Sequence, residues 1–324
     1  MPILSRRQSF ATGAALMATP LAGGLVAGRA FAETSAGAVA SPNIRRFPLG
    51  AFEVTTIYDG QIALEDPHTI FGTDQEPATV AQIAEQNFLP ADKLVIGFTP
   101  IIVNTGEQVI LFDAGNGARR RPDAGKLVSQ LANAGFSADQ IDTVVITHMH
   151  PDHIGGLMEE GSPTFPNAAY VTGQVEYDFW SSEDRLSGPT EGTATLVQSN
   201  VVPLADKMSF IDDGKDVVTG VTAIGAGGHT PGHMAYHIES EGERLLLWGD
   251  AANHYVFSIQ HPDWHVRFDM DKDAAAATRR NLFDMAAGER IPVTGYHMPF
   301  PAVGFIEGTA DGHRWVPMTY QLDL

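Results

Sequence analysis

A chain of 324 residues with 39 aspartates and glutamates against 20 lysines and arginines has a formal charge of −19, which repels phosphate backbones and argues against a nucleic-acid partner. It contains no cysteine, so thiolate metal sites and disulfide staples are both excluded. A chain of this length can bury enough surface to fold without either.

Residues 1–32 contain Arg6, Arg7 and Arg29 and no acid, then a stretch rich in Ala, Gly and Leu at 14–26, then Ala30-Phe31-Ala32 before Glu33. This layout reads as an export signal with a small-residue cleavage site. Ser5-Arg6-Arg7-Gln8 with Phe10 resembles a twin-arginine leader, and the apolar stretch is too short and glycine-broken to span a bilayer. The expected address is the periplasm. Loss of the three leader arginines leaves 17 basic residues against 39 acids, a balance of −22. Residues 33–324 show no Pro-rich or Ser/Gly linker, internal repeat or charge block, so they read as a single domain.

In chain order the pattern predicts a strand at 52–58, then a hairpin of 99–104 and 108–112 turning at Thr105-Gly106-Glu107. A helix at 126–134 and a strand at 144–147 follow, with a further helix at 175–182. A β-rich stretch comes next, including the hairpin of 234–238 with 244–248 across Glu241-Gly242. The clearest helix is 271–287, followed by strands at 291–295 and near the C-terminus. Mixed elements of this kind imply an α/β chain with sheets stacked in layers.

The chemistry concentrates at Thr147-His148-Met149-His150-Pro151-Asp152-His153, which places four metal-binding side chains within six positions after an apolar strand. Three further candidates follow: His229 in Gly-Gly-His-Thr-Pro-Gly-His (227–233), Asp250 after Leu-Leu-Leu-Trp-Gly, and His297 after Ile-Pro-Val-Thr-Gly-Tyr. Each of them follows an apolar strand and precedes a Gly- or Pro-bearing loop, so a stiff scaffold holds chemistry on loops. Five histidines and two aspartates exceed what one tetrahedral zinc needs and suit two ions with a shared carboxylate.

With Leu111-Phe112-Asp113-Ala114-Gly115 added, this motif set resembles the metallo-β-lactamase superfamily. The resemblance implies an αββα sandwich of two stacked mixed sheets with helices outside. It implies one ion on His148, His150 and His229, a second on Asp152, His153 and His297, and Asp250 between them. Asp113 is then expected to accept a hydrogen bond from a ligand histidine, and His233 to support the site without binding metal. Further segments, among them Phe165-Pro166-Asn167-Ala168, Asp178-Phe179-Trp180, His297-Met298-Pro299-Phe300-Pro301 and Arg314-Trp315-Val316-Pro317, are similar to methyl parathion hydrolase and acyl-homoserine-lactonase-like enzymes.

The activity implied is hydrolysis of a lactone or aryl ester by a hydroxide shared between two divalent ions, zinc first, with iron or manganese as alternatives. Asp152 and Asp250 carry the catalytic roles. A phosphotriesterase is the alternative, with a β-lactamase or a glyoxalase II-type thioesterase ranked lower. Where the lactonases carry a tyrosine three residues beyond the bridging aspartate, this chain has Asn253, followed by His254 and Tyr255. Asn253 and Tyr255 are therefore expected at the substrate, with Trp180 and Phe300 as an aromatic wall favouring aryl esters or aromatic lactones. The expected partner is a small-molecule substrate, with no nucleic acid, no membrane span in the mature form, and a homodimer left open.

Overall fold

The computed structural model describes residues 42–310 and 312–319; the export-signal reading of 1–32 lies outside them. One seven-stranded sheet follows the chain in order through Ile44–Leu49, Phe52–Ile57, Ile101–Asn104, Val109–Phe112, Thr143–Ile146, Ala169–Gly173 and Met208–Ile211. Its first four strands pair antiparallel, and from Val109–Phe112 onward the pairing is parallel. A second seven-stranded sheet runs through Asp216–Val218, Val221–Gly225, Met234–Ser240, Glu243–Leu247, Val293–Thr294, Val303–Thr309 and Gly312–Pro317.

The central strands read IIVN, VILF and TVVI and are buried at every position, because each sheet is covered on both faces. Alternation then sorts their side chains. Val103, Ile110 and Phe112 meet Val221, Tyr236 and Leu247 of the other sheet. Ile102, Leu111 and Val144 point outward to Leu131 and Val197 on helices. On the far side Leu246 and Val293 pack under Leu282, Phe283 and Ala286 of the helix Lys272–Glu289. Helix, sheet, sheet, helix is the layering anticipated from the motifs.

The strands at 52–58, 108–112, 144–147, 234–238 and 244–248 and the helices at 126–134, 175–182 and 271–287 are all present within one or two residues. Asp271 caps the last helix, its side chain accepting from the Ala274 amide. Two features were not anticipated. Gly60–Glu65 and Lys93–Phe98 form a two-stranded arm, with the helix Pro77–Gln86 between them. Ile44–Leu49 is a strand despite Arg45, Arg46 and Pro48, since pairing with Phe52–Ile57 through the Gly50 turn (φ 57°) outweighs local propensity.

Candidate active site

The seven candidate ligands converge where the two sheets meet the loops at their strand ends. Ligand atoms of His148, His150, His229 and Asp250 lie within 4.8 Å of one another, and so do those of Asp152, His153 and His297. Asp250 joins the two groups. One of its oxygens is 3.3 Å from His153 Nε2, and the other is 3.0 Å from His297 Nε2 and 3.4 Å from His229 Nε2.

Hydrogen bonding orients four of the imidazoles through Nδ1. His153 Nδ1 lies 2.8 Å from Asp113 Oδ2, His229 Nδ1 2.9 Å from Asp269 Oδ1, and His297 Nδ1 2.9 Å from the Gly97 carbonyl. Each acceptor has no hydrogen to give, so each Nδ1 is the protonated nitrogen. The Thr147 hydroxyl spends its one hydrogen on Asp113 and therefore accepts from His148 Nδ1 at 3.1 Å. Four imidazoles thus have Nδ1 engaged and turn Nε2 toward the centre. His150 Nδ1 lies 2.9 Å from His229 Nε2, and its ring packs edge-on to Trp180 with centroids 6.0 Å apart.

His148 Nε2, His153 Nε2 and Asp250 Oδ1 are buried and lack a hydrogen-bond partner, an arrangement that costs free energy unless a cation fills it. Electrostatics agree. Burial opposes charge on His153, yet the carboxylates of Asp250, Asp113 and Asp152 outweigh it and hold its pKa well above the usual histidine value. Burial likewise opposes charge on Asp250, but His297 and His153 hold it well below the usual carboxylate range. The centre therefore favours positive charge among nitrogen and oxygen donors, which is the chemistry of a divalent-ion site.

The supporting residues divide between expected and missed. Asp113 (φ 62°) also accepts from the Thr147 amide, tying the first hairpin to the His-rich loop. His233 accepts from the Asp250 amide through Nε2 and faces the Ala226 carbonyl through Nδ1, so both nitrogens are engaged away from the centre, and burial pushes its pKa down to about 3. Gly249 (φ 53°) allows this approach, since a Cβ there would stand 2.7 Å from His233 Nε2.

Asp269, Arg279 and Glu176 were not anticipated. The fully buried Arg279 donates to Asp269 Oδ2 at 2.8 Å and to the carbonyls of Ala251 and Pro262, linking the His229 and Asp250 loops. Glu176, also fully buried, accepts from the amides of Met149 and Gly232 and the hydroxyl of Thr230, clamping the two His-bearing loops together. Burial raises its pKa against those hydrogen bonds. Glu176 and Trp180 stand one helical turn apart on Gln174–Ser181, a spacing that places both on one face; that was the available signal.

A cavity of about 290 Å³ opens over both ligand groups, lined by His150, Asp152, His229, Asp250 and His297 and by Asn253. Asn253 Nδ2 donates to Asp250 Oδ2 at 3.0 Å. The other three expected substrate contacts lie elsewhere. Trp180 is 2% exposed and donates to Glu176, so it backs His150 from the core. Phe300 packs edge-on to Tyr58 at 5.6 Å, and Tyr255 stacks on His254 at 4.9 Å, both outside the lining. The apolar wall is instead Ile62, Leu64, Ile96, Phe98 and Phe268, four of them from the unanticipated arm.

Comparison with known proteins places this geometry. An N-acyl homoserine lactonase AttM of Agrobacterium fabrum (strain C58 / ATCC 33970) is 27% identical over 132 residues, covering 39% of this chain and 46% of the relative. An N-acyl homoserine lactonase of Bacillus cereus is 23% identical over 158 residues, 46% of this chain and 57% of the relative. The chain thus spans about half the length of the curated relatives it matches. The solved structure of AidC, a dizinc quorum-quenching lactonase, superposes with a TM-score of 0.79 at 28% identity, over 86% of this chain and 98% of that one. That of the hydrolase AbOPH gives 0.79 at 24% identity, over 87% and 99%, and speaks for the fold alone. The profile of the metallo-beta-lactamase superfamily matches residues 99–294, which hold every candidate ligand but His297, and the chain belongs to that superfamily.

Proposed function

We propose that the chain is a dinuclear metal-dependent hydrolase acting on lactones or aryl esters. The observation that carries this reading is the pair of ligand groups joined by Asp250, with His148 Nε2, His153 Nε2 and one Asp250 oxygen buried there without a hydrogen-bond partner. His148, His150 and His229 would hold one ion, Asp152, His153 and His297 the other, and Asp250 would bridge them. The lactonase relatives and the dizinc neighbour support the same assignment. When bound, two such ions lower the pKa of water toward roughly 7 and polarise a carbonyl or phosphoryl oxygen.

The protein's own groups do the rest. Ile62, Leu64, Ile96, Phe98 and Phe268 exclude water and hold the acyl or aryl part of the substrate. Asp152 lines the cavity and is 18% exposed, placed to take a proton from the attacking water and pass it to the leaving oxygen. The amide of Asn253 orients Asp250 through a hydrogen bond on its Oδ2. Tyr296 anchors the Asp152 backbone, its hydroxyl donating to that carbonyl at 2.7 Å.

The test is a turnover screen of metal-analysed protein on dihydrocoumarin, phenyl acetate, a long-chain acyl-homoserine lactone, a phosphotriester and a β-lactam. Hydrolysis of the first two fastest is the expected result. A β-lactam or phosphotriester turned over well ahead of every lactone and ester would overturn the substrate assignment.

A further inference from the structure

Among the described residues, Arg120 is the only lysine or arginine lining the cavity over the ligand groups. Its guanidinium carbon lies 5.8 Å from the centroid of the Phe98 ring, and Phe98 packs edge-on to His297 at 5.6 Å. One phenyl ring therefore separates this cation from the ligand set. Among the described residues no carboxylate lies within ion-pair distance of Arg120, whereas Arg46, Arg121, Arg244, Arg279, Arg280 and Arg314 all pair with acids. Arg185 is likewise half-buried and without an ion pair among the described residues, but it lies over Phe179 and does not line the cavity, so Arg120 is the cation available there.

Arg120 also stands on the ridge between two hollows. With Ile62 and Leu64 it lines both the catalytic cavity and an adjoining groove of about 700 Å³, whose walls add Tyr58, Gln61, Asp123 and Lys126. The cavity lining thus combines the polar ligand groups, the apolar side chains of Ile62, Leu64 and Ile96, and a guanidinium that it shares with the adjoining groove. A guanidinium offers parallel N–H donors that match a carboxylate, and its stacking on Phe98 keeps that fork oriented.

We propose that the cavity takes esters or lactones whose far end carries a carboxylate, and that Arg120 is the residue that reads it. This rests on the hydrolase reading for the reacting group alone; recognition at the far end is a separate interaction.

The test uses the metal-loaded protein and matched pairs: mono-4-nitrophenyl esters of dicarboxylic acids, succinate through suberate, against 4-nitrophenyl esters of alkanoic acids of equal length. Wild type is expected to favour the carboxylate-bearing ester in kcat/KM at one or more lengths. R120Q should lower that ratio by about 10- to 100-fold, the range for losing a charged hydrogen bond, with R120K retaining part of it. Added salt should erode the preference. A ratio at or below one at every length, or a ratio unchanged in folded R120Q, overturns the proposal. If no ester or lactone is turned over, the hydrolase reading falls, and calorimetric titration with adipate against hexanoate then decides the role of Arg120. Tighter binding of the dicarboxylate that is lost in R120Q sustains it; equal binding of the two acids overturns it.

Discussion

Replacing Arg279 should weaken metal binding at a site that Arg279 does not touch. Its guanidinium is fully buried and holds Asp269 Oδ2 at 2.8 Å, while Asp269 Oδ1 holds His229 Nδ1 at 2.9 Å. Burial alone would raise the Asp269 pKa, but His229 and Arg279 together keep it below the usual carboxylate range. In R279M that carboxylate stays buried with its main cation gone, and the carbonyls of Ala251 and Pro262 lose their donor. Breaking one side of a buried pair costs about 3–5 kcal/mol. Loosening the group that orients a ligand histidine lowers metal affinity about 10- to 100-fold. Competition with a chromophoric zinc chelator measures the second effect and denaturant unfolding the first. Removing both charges in R279M/D269L should cost less stability than R279M alone, because no uncompensated charge remains. A folded R279M with wild-type zinc affinity, or a double variant less stable than the single one, would refute this reasoning.

Elemental analysis of active protein should give about two transition-metal equivalents, the number its donor set requires, and H148A should lose at least one. Chelation should also lower the melting temperature, since ions that bind only the folded chain stabilise it. N253A should reduce kcat by about 10- to 100-fold, because Asp250 Oδ2 loses the amide donor 3.0 Å away; unchanged kcat would remove Asn253 from the site. His254 supplies a pH test at a ring that packs on Phe71, Tyr255 and Phe257. Burial pushes its pKa down from 6.5 to about 3, and its Nδ1 accepts from the amides of Val256 and Phe257. The folded state therefore binds this proton less readily than the unfolded chain. The stability contributed by the neutral ring is complete above pH 6.5 and is lost as pH falls toward 3, at about 1.4 kcal/mol per unit. Wild type should thus lose about 2–3 kcal/mol more than H254N between pH 7 and 4.5, and parallel pH profiles for the two proteins would contradict that.

The candidate donors and most of the strands that carry them were legible in the sequence alone. Metal donors must be particular residue types, and rigid presentation demands an apolar strand before each loop, so His148, His229, Asp250 and His297 were all visible as residues ending such strands. Asp113 was legible too, through the motif around it. Tertiary structure decided what surrounds them. Asp269 and Glu176 lie 40 and 54 residues from the His229 and Thr230 groups they hold, and in a chain with 39 acids nothing local marks them. Nothing local on Lys272–Glu289 distinguishes Arg279 from its neighbour Arg280; packing alone buries it beneath the Asp250 loop. The pocket wall was misread for a related reason. Aromatic side chains suit a core as well as a cavity, and the phase of Gln174–Ser181 turned Trp180 inward to Glu176. The apolar wall came instead from Gly60–Glu65 and Lys93–Phe98, whose alternating pattern lines the cavity only once the arm folds beside the candidate donors.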